Sequence, residues 1–138
     1  MPTRPATERT LRLSAKLIPQ ATICFSPLSA FQIWLAINVK ARKPTIGTPS
    51  LRIARFSRQA LTEGVATHRI DGVPVRIYSP AKTVADCFKY RYKIGIDVAI
   101  EALRDALRRR KATPGQIHRY AKICRVANVI RPYLESAV

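Results

Sequence analysis

Two histidines and three cysteines are the residues of this chain whose chemistry suits a nucleophile or a metal ligand. None of them, His68, His118, Cys24, Cys87 or Cys124, has a neighbour at the spacing of a zinc site. The strand pattern places His68 on the apolar side of a hairpin, which favours a hydrogen-bonded core histidine. Cys87 and Cys124 complete the apolar stripes of two helices, so we expect small buried thiols rather than nucleophiles.

Four carboxylates offer a second chemistry, magnesium-assisted cleavage of phosphodiesters. Asp97, Glu101 and Asp105 recur every four residues on one predicted helix, and Asp86 lies on the helix before it. Arginines on the same helix compensate this charge, which favours a solvated charged face. The five glycines are scattered and form no phosphate-binding loop. We therefore expect a protein that is not an enzyme, with no catalytic residue, no metal and no cofactor.

The strongest functional signal is the charge. The chain has 25 lysines and arginines against 8 aspartates and glutamates, a net charge of +17. Both halves of the chain carry this excess, which predicts basic folded surfaces that attract polyanions such as DNA, RNA or an acidic protein. Part of the run 108–111 has a structural explanation, because cations at a helix end favour the helix dipole. Contacts with nucleic acid or a partner are expected from Lys40, Arg42, Lys43, Arg55, Lys82, Arg104, Arg108, Arg109, Arg110 and Lys111.

Composition also bounds the location and size of the protein. Sparse cysteines without paired spacing are typical of a reducing compartment. Residues 1–20 carry charges throughout, with no apolar run for a signal peptide or a membrane span. A cytoplasmic protein without membrane contact is predicted, and 138 residues with 47% hydrophobic content predict one compact domain.

Strand patterns come first along the chain. Residues 31–39 alternate in the strand period, and Leu51 and Ile53 open the next strand. Asp71-Gly72 separates two β-rich runs, which predicts a hairpin at 65–78 in which residues 65–70 pair with 73–78. Pro74 then indicates that the second hairpin strand is an edge at that point.

Helix patterns follow the strands. Ser79-Pro80 and Thr113-Pro114 are typical helix starts, and Gly95 separates two helices. A last helix tolerates Pro132 only in its first turn. Strands followed by a C-terminal cluster of about four helices predict an α+β fold with a small antiparallel sheet. We assign residues 31–138 to one domain and residues 1–30 to a poorly defined N-terminal segment.

Residues 56–133 resemble the C-terminal domain of AbiEi-type antitoxins, the transcriptional regulators of bacterial type IV toxin–antitoxin systems. The most specific part of the likeness is the pattern Ser79-Pro80-x-Lys82-Thr83-x-x-Asp86. The rest is carried by Arg55-Phe56-Ser57, Ile70-Asp71-Gly72-Val73-Pro74-Val75, Asp86-Cys87-Phe88-Lys89-Tyr90-Arg91, Ala102-Leu103-Arg104 and Tyr120-Ala121-Lys122.

The resemblance implies a non-enzymatic regulator that antagonises a nucleotidyltransferase toxin in viral defence. Such proteins usually carry an N-terminal winged helix-turn-helix that binds operator repeats. Because the segment before residue 31 has no room for it, we expect a shortened antitoxin that contacts DNA phosphates without reading an operator.

Two other functions remain open. A small basic RNA- or ribosome-binding structural protein would explain the charge without a toxin, although the sequence shows no aromatic-rich motif of the common single-strand readers. A phosphodiester-cleaving enzyme is the third hypothesis.

Overall fold

The computed structural model describes residues 22–24, 33–42 and 51–137. The chain divides into two compact units, Met1–Tyr78 and Ser79–Val138. Of the described residues, those of the first unit form strands and one short helix and those of the second form the longer helices, which confirms the predicted α+β class. The division adds a boundary at Tyr78, inside the range 31–138 that was predicted as one domain.

The strands described in the first unit form one five-stranded sheet in the order β3-β2-β1-β5-β4. Its β1–β2 and β4–β5 pairs are antiparallel, whereas β2–β3 and β1–β5 are parallel. The sheet is therefore mixed, although only antiparallel pairing was predicted. Alternation along a strand specifies which side chains share a face, but not the direction of the neighbouring strand. The strands are β1 (Thr22–Cys24), β2 (Ile33–Asn38), β3 (Leu51–Phe56), β4 (Val65–Ile70) and β5 (Val73–Tyr78), and a short helix α1 (Arg58–Thr62) follows β3.

The β4–β5 hairpin has the predicted register, with Ile70 opposite Val73 next to the turn. Asp71 and Gly72 have φ angles of 51° and 80°, as the tight turn between twisted strands requires. The edge was predicted for β5 at Pro74, whereas β5 as a whole lies between β1 and β4 in the sheet. Its pairing with β1 falls at Ile77, beyond Pro74, so the missing donor of the proline does not interrupt that pairing.

One face of the sheet carries an apolar cluster. Leu35, Ile37 and Val75 are its buried members, and Ile70 is among the half-buried side chains packed against them. His68 shares this face opposite Val75, yet it is exposed. The prediction of a core histidine is wrong because β4 is the edge strand, and the end of a sheet leaves its side chains open to water.

The other face of the sheet is buried in part, at Ala36, Ala54, Phe56 and Tyr78. The rings of Phe56 and Tyr78 stack there with their centroids 5.7 Å apart. The Tyr78 hydroxyl donates a hydrogen bond of 2.5 Å to the carbonyl oxygen of Leu61 in α1. This bond ties the short helix to the last strand of the sheet.

Five helices are described in the second unit: α2 (Pro80–Lys89), α3 (Arg91–Ile94), α4 (Ile96–Arg108), α5 (Pro114–Ile123) and α6 (Ala127–Ala137). Four of them exceed one turn, as predicted. The hydroxyl of Ser79 accepts a hydrogen bond from the main-chain N–H of Lys82 at the start of α2. Thr113 and Gln116 form the predicted capping box at the start of α5. Gly95, with a φ of 97°, separates α3 from α4.

The last helix differs from its prediction. Pro132 lies inside α6 rather than in its first turn. Its ring removes the hydrogen bond to the carbonyl of Asn128. Because Asn128 and Pro132 are both exposed, the missing bond falls on the solvent side of the helix.

Helix α2 is the centre of the helical unit. Every residue from 81 to 88 is buried, and α2 packs against both α4 and α5. Opposite it lie fully buried apolar side chains, including Leu103, Ile117 and Ala121. The buried positions of α4 other than Leu103 are alanines, and such small side chains allow close approach of the helices. Among the described residues, no helix is both long and apolar enough to cross a membrane.

Candidate nucleic-acid interface

Lys82 was predicted as a surface contact, and the structure corrects this. Its side chain is 0% exposed, and its Nζ atom lies 2.8 and 2.9 Å from the two carboxylate oxygens of Asp86, one helical turn later. A fully buried ammonium group cannot reach a phosphate of a bound nucleic acid. Lys82 therefore belongs to the interior of the helical unit and not to an interface.

The carboxylate of Asp86 also connects two helices. Its Oδ1 atom accepts a hydrogen bond of 3.4 Å from the Cys124 thiol at the end of α5. Burial raises the pKa of Asp86 to about 6, although the charge of Lys82 acts in the opposite direction. We call Lys82, Asp86 and Cys124 the buried polar cluster. Its contacts hold the end of α5 against α2.

The buried thiols are poor candidates for nucleophiles. Burial raises the pKa of Cys124 to about 12, with a further contribution from the neighbouring charge of Asp86. Burial raises the pKa of Cys87 as well. Both groups therefore hold their protons at neutral pH, and a protonated thiol is a weak nucleophile.

The structure separates the four carboxylates considered for magnesium binding. Asp86 is buried against Lys82, while Asp97 and Glu101 are exposed on α4. Asp105 contacts Arg108 at 2.7 Å and Arg109 at 3.1 Å. In the described ranges, no three side chains of His, Cys, Asp or Glu converge at a possible metal position.

The predicted cations of the first unit differ in their contacts and exposure. The Nη1 atom of Arg55 donates to the main-chain carbonyl oxygens of Asn38 and Val39, each at 3.3 Å, and of Ala41 at 2.6 Å. Arg55 therefore holds the turn after β2 in place. Lys40 and Arg42 are exposed on that turn. Lys43 lies outside the described residues.

The predicted cations at the end of α4 are exposed: Arg104, Arg108, Arg109, Arg110 and Lys111. They begin a longer basic region, because residues 106–134 contain no Asp or Glu. We call residues 106–134 the acid-free stretch. All eight of its lysines and arginines are exposed. Four of them were missing from the sequence prediction, namely Arg119, Lys122, Arg125 and Arg131. The gap between Asp105 and Glu135 was the signal that could have found them.

Three of these cations share one side of α5. Arg119, Lys122 and Arg125 recur at intervals of three residues, which places them along the solvent side of the helix and its C-terminal end. The guanidinium of Arg119 lies 5.5 Å from the ring centroid of Tyr120. Helix α5 itself contains no carboxylate, so this side presents positive charge without compensation from its own helix.

Arginines also occupy two backbone positions that favour glycine. Arg110 and Arg125 follow the ends of α4 and α5 with φ angles of 55° and 62°. The N–H groups of Lys111 and Val126 close each helix by bonding to a carbonyl five residues back, at 2.9 and 2.8 Å. A side chain in this left-handed conformation costs about 1–2 kcal/mol. The helix dipole stabilises a cation at such an end by about 0.3–1 kcal/mol, which offsets part of this cost.

Comparison of the sequence with protein-family models and with curated proteins finds no match.

Proposed function

We propose that this protein is a non-enzymatic, antitoxin-like regulator that binds nucleic acid through its phosphates. The observation that carries the nucleic-acid part is the acid-free stretch, whose eight cations are all exposed. A polyanion bound there releases condensed counterions, which favours binding at low salt. Asp105 engages Arg108 and Arg109, but their side chains are 74% and 65% exposed. Such exposed pairs are weak and can be exchanged for phosphate contacts.

The arginines at the two helix ends support this proposal. At Arg110 and Arg125, glycine would close the helix without the steric cost. Arginine in its place presents a planar fork of donors that matches phosphate oxygens. Arg110 and Arg125 therefore lower the stability of the fold relative to glycine. This cost favours a functional role for their charge.

The antitoxin part of the proposal is supported by the sequence resemblance alone. In this fold, the most specific residues of that motif have internal roles: Ser79 caps α2, and Lys82 with Asp86 forms the buried pair. They position the helical unit rather than contact a partner.

The nucleic-acid part is tested by the salt dependence of duplex binding. Fluorescence anisotropy with a labelled DNA duplex of arbitrary sequence should give an affinity that falls linearly with salt on a logarithmic plot. The triple variant Arg119→Gln/Lys122→Gln/Arg125→Gln should weaken binding and reduce the magnitude of the slope by about 3, one for each lost phosphate contact.

The matched control removes the same charge from exposed first-unit arginines that were not predicted as contacts, as Arg52→Gln/Arg58→Gln/Arg69→Gln. We expect a smaller effect from this control on both affinity and slope. Equal effects of the two triple variants would show that net charge, and not the acid-free stretch, determines binding.

The antitoxin part needs a separate experiment. Where the neighbouring reading frame encodes a nucleotidyltransferase, co-expression of the two proteins should restore the growth that this toxin alone arrests. Failure of rescue by a folded protein that still binds DNA would contradict the antitoxin function and leave the nucleic-acid proposal intact.

A further inference from the structure

An exposed aromatic side chain lies between α2 and α4. In the described part of the chain, Tyr92 and Val39 are the exposed large hydrophobic residues, and Tyr92 is 88% exposed. Residues 89–93 alternate cation and aromatic in the order Lys, Tyr, Arg, Tyr, Lys. A ring this exposed gains almost nothing from burial on folding, so the core does not account for its presence.

Arg91 holds the Tyr92 ring in position. Its guanidinium carbon lies 4.6 Å from the ring centroid, and its Nη2 atom lies 3.4 Å from the Tyr92 hydroxyl. The Nη1 atom of Arg91 donates to the carbonyl oxygen of Phe88 at 2.8 Å, which anchors the guanidinium to the end of α2. One ring face is therefore supported, while the exposure of 88% leaves the other face open to solvent. A ring restrained in this way loses less conformational freedom when a second planar group stacks on it.

Further cations lie close to Tyr92 along the chain. Lys89 and Lys93 are exposed, and the Lys93 Nζ atom lies 5.8 Å from the ring centroid of Tyr90. The nearest carboxylates in sequence are Asp86, which is buried against Lys82, and Asp97, which lies in the first turn of α4. An aromatic ring between cations fits a ligand with a flat, polarisable face and negative charges on both sides.

We propose that residues 89–93 form a stacking site for an unpaired base of single-stranded nucleic acid. The Tyr92 ring takes the base, and Lys89 and Lys93 contact the flanking phosphates. A duplex does not fit this site, because its bases already stack on one another and present no free face. The cationic surroundings favour a nucleic acid over an apolar protein surface. The inference rests on the proposed affinity for nucleic acid. It adds that this site recognises single strands rather than duplexes.

Three labelled ligands of equal length test the site by anisotropy: a single-stranded oligothymidylate, the same strand with abasic sugars, and a duplex. We expect Tyr92→Ala to weaken oligothymidylate binding at least about fivefold, since stacking of one base on an aromatic ring contributes on this scale. The abasic strand and the duplex should bind the variant as they bind the natural protein. Tyr92→Trp should retain the affinity for oligothymidylate, whereas Tyr92→Leu, which keeps an apolar side chain without the ring, should behave as Tyr92→Ala.

The outcomes separate this inference from the proposed function. Absence of binding to all three ligands would overturn both. Binding of all three with no effect of Tyr92→Ala, or with an equal loss for the abasic strand, would overturn the stacking site and leave the phosphate-binding surface standing. A variant that binds every nucleic acid normally but loses affinity for a protein toxin would assign Tyr92 to a protein interface instead, which also overturns the inference.

Discussion

Replacing Asp86 with asparagine should break the ion pair inside the helical unit. The pair joins Lys82 Nζ to both carboxylate oxygens at 2.8 and 2.9 Å, and its side chains are 0% and 2% exposed. Removing one partner of such a buried pair costs about 3–5 kcal/mol, because the remaining charge loses its counterion without gaining water. Since domains of this size unfold at about 5–15 kcal/mol, we expect Asp86→Asn to lose a large part of its free energy of unfolding.

A double variant distinguishes loss of the pair from loss of packing. Lys82→Met/Asp86→Leu removes both charges while keeping similar volume, and we expect it to lie within about 1 kcal/mol of the natural protein or to be more stable. Asp105→Asn is the exposed control, because the Asp105 side chain is 40% exposed. It should cost less than about 1 kcal/mol.

Urea unfolding followed by far-UV circular dichroism measures all three free energies. A loss below about 1 kcal/mol in Asp86→Asn, or an equal loss in the single and double variants, would refute the view that the interior depends on charge compensation.

Two further predictions concern the helix ends and the capping box. Arg110→Gly and Arg125→Gly should each stabilise the protein by about 1 kcal/mol, because glycine adopts the left-handed conformation without strain. The measurement is made in about 0.5 M salt, which screens the interaction of the arginine with the helix dipole. A lower melting temperature for both variants would contradict this prediction. Thr113→Ala removes the hydroxyl that accepts from the Gln116 N–H at 3.2 Å. It should cost about 1 kcal/mol, and an unchanged urea midpoint would show that the cap is dispensable.

Features that depend on neighbouring residues were predictable from the sequence. The hairpin register follows from Asp71-Gly72, whose φ angles suit the tight turn. The starts of α2 and α5 follow from Ser79 and Thr113, whose hydroxyls accept hydrogen bonds from N–H groups three residues later. The exposed cations at the end of α4 were also predicted, because a run of polar residues ends the apolar stripe there.

Features that depend on distant residues were not predictable in the same way. Lys82 and Asp86 have the spacing of an ordinary surface pair, and only the packing of α2 against α4 and α5 buries them. His68 shares an apolar face, but the position of β4 at the sheet edge exposes it. Tyrosine is a residue type of intermediate burial, but at its position in the short helix α3 Tyr92 is 88% exposed.

The sequence by itself therefore determined turns, helix ends, the excess of positive charge and the motif resemblance. The tertiary structure decided which charged groups are buried, which strands pair in parallel and which cations share a surface. The physical reason is the range of the interactions. Caps and tight turns satisfy main-chain groups within a few residues, whereas burial depends on neighbours from other elements, such as Cys124, whose thiol reaches Asp86 across 38 residues of chain.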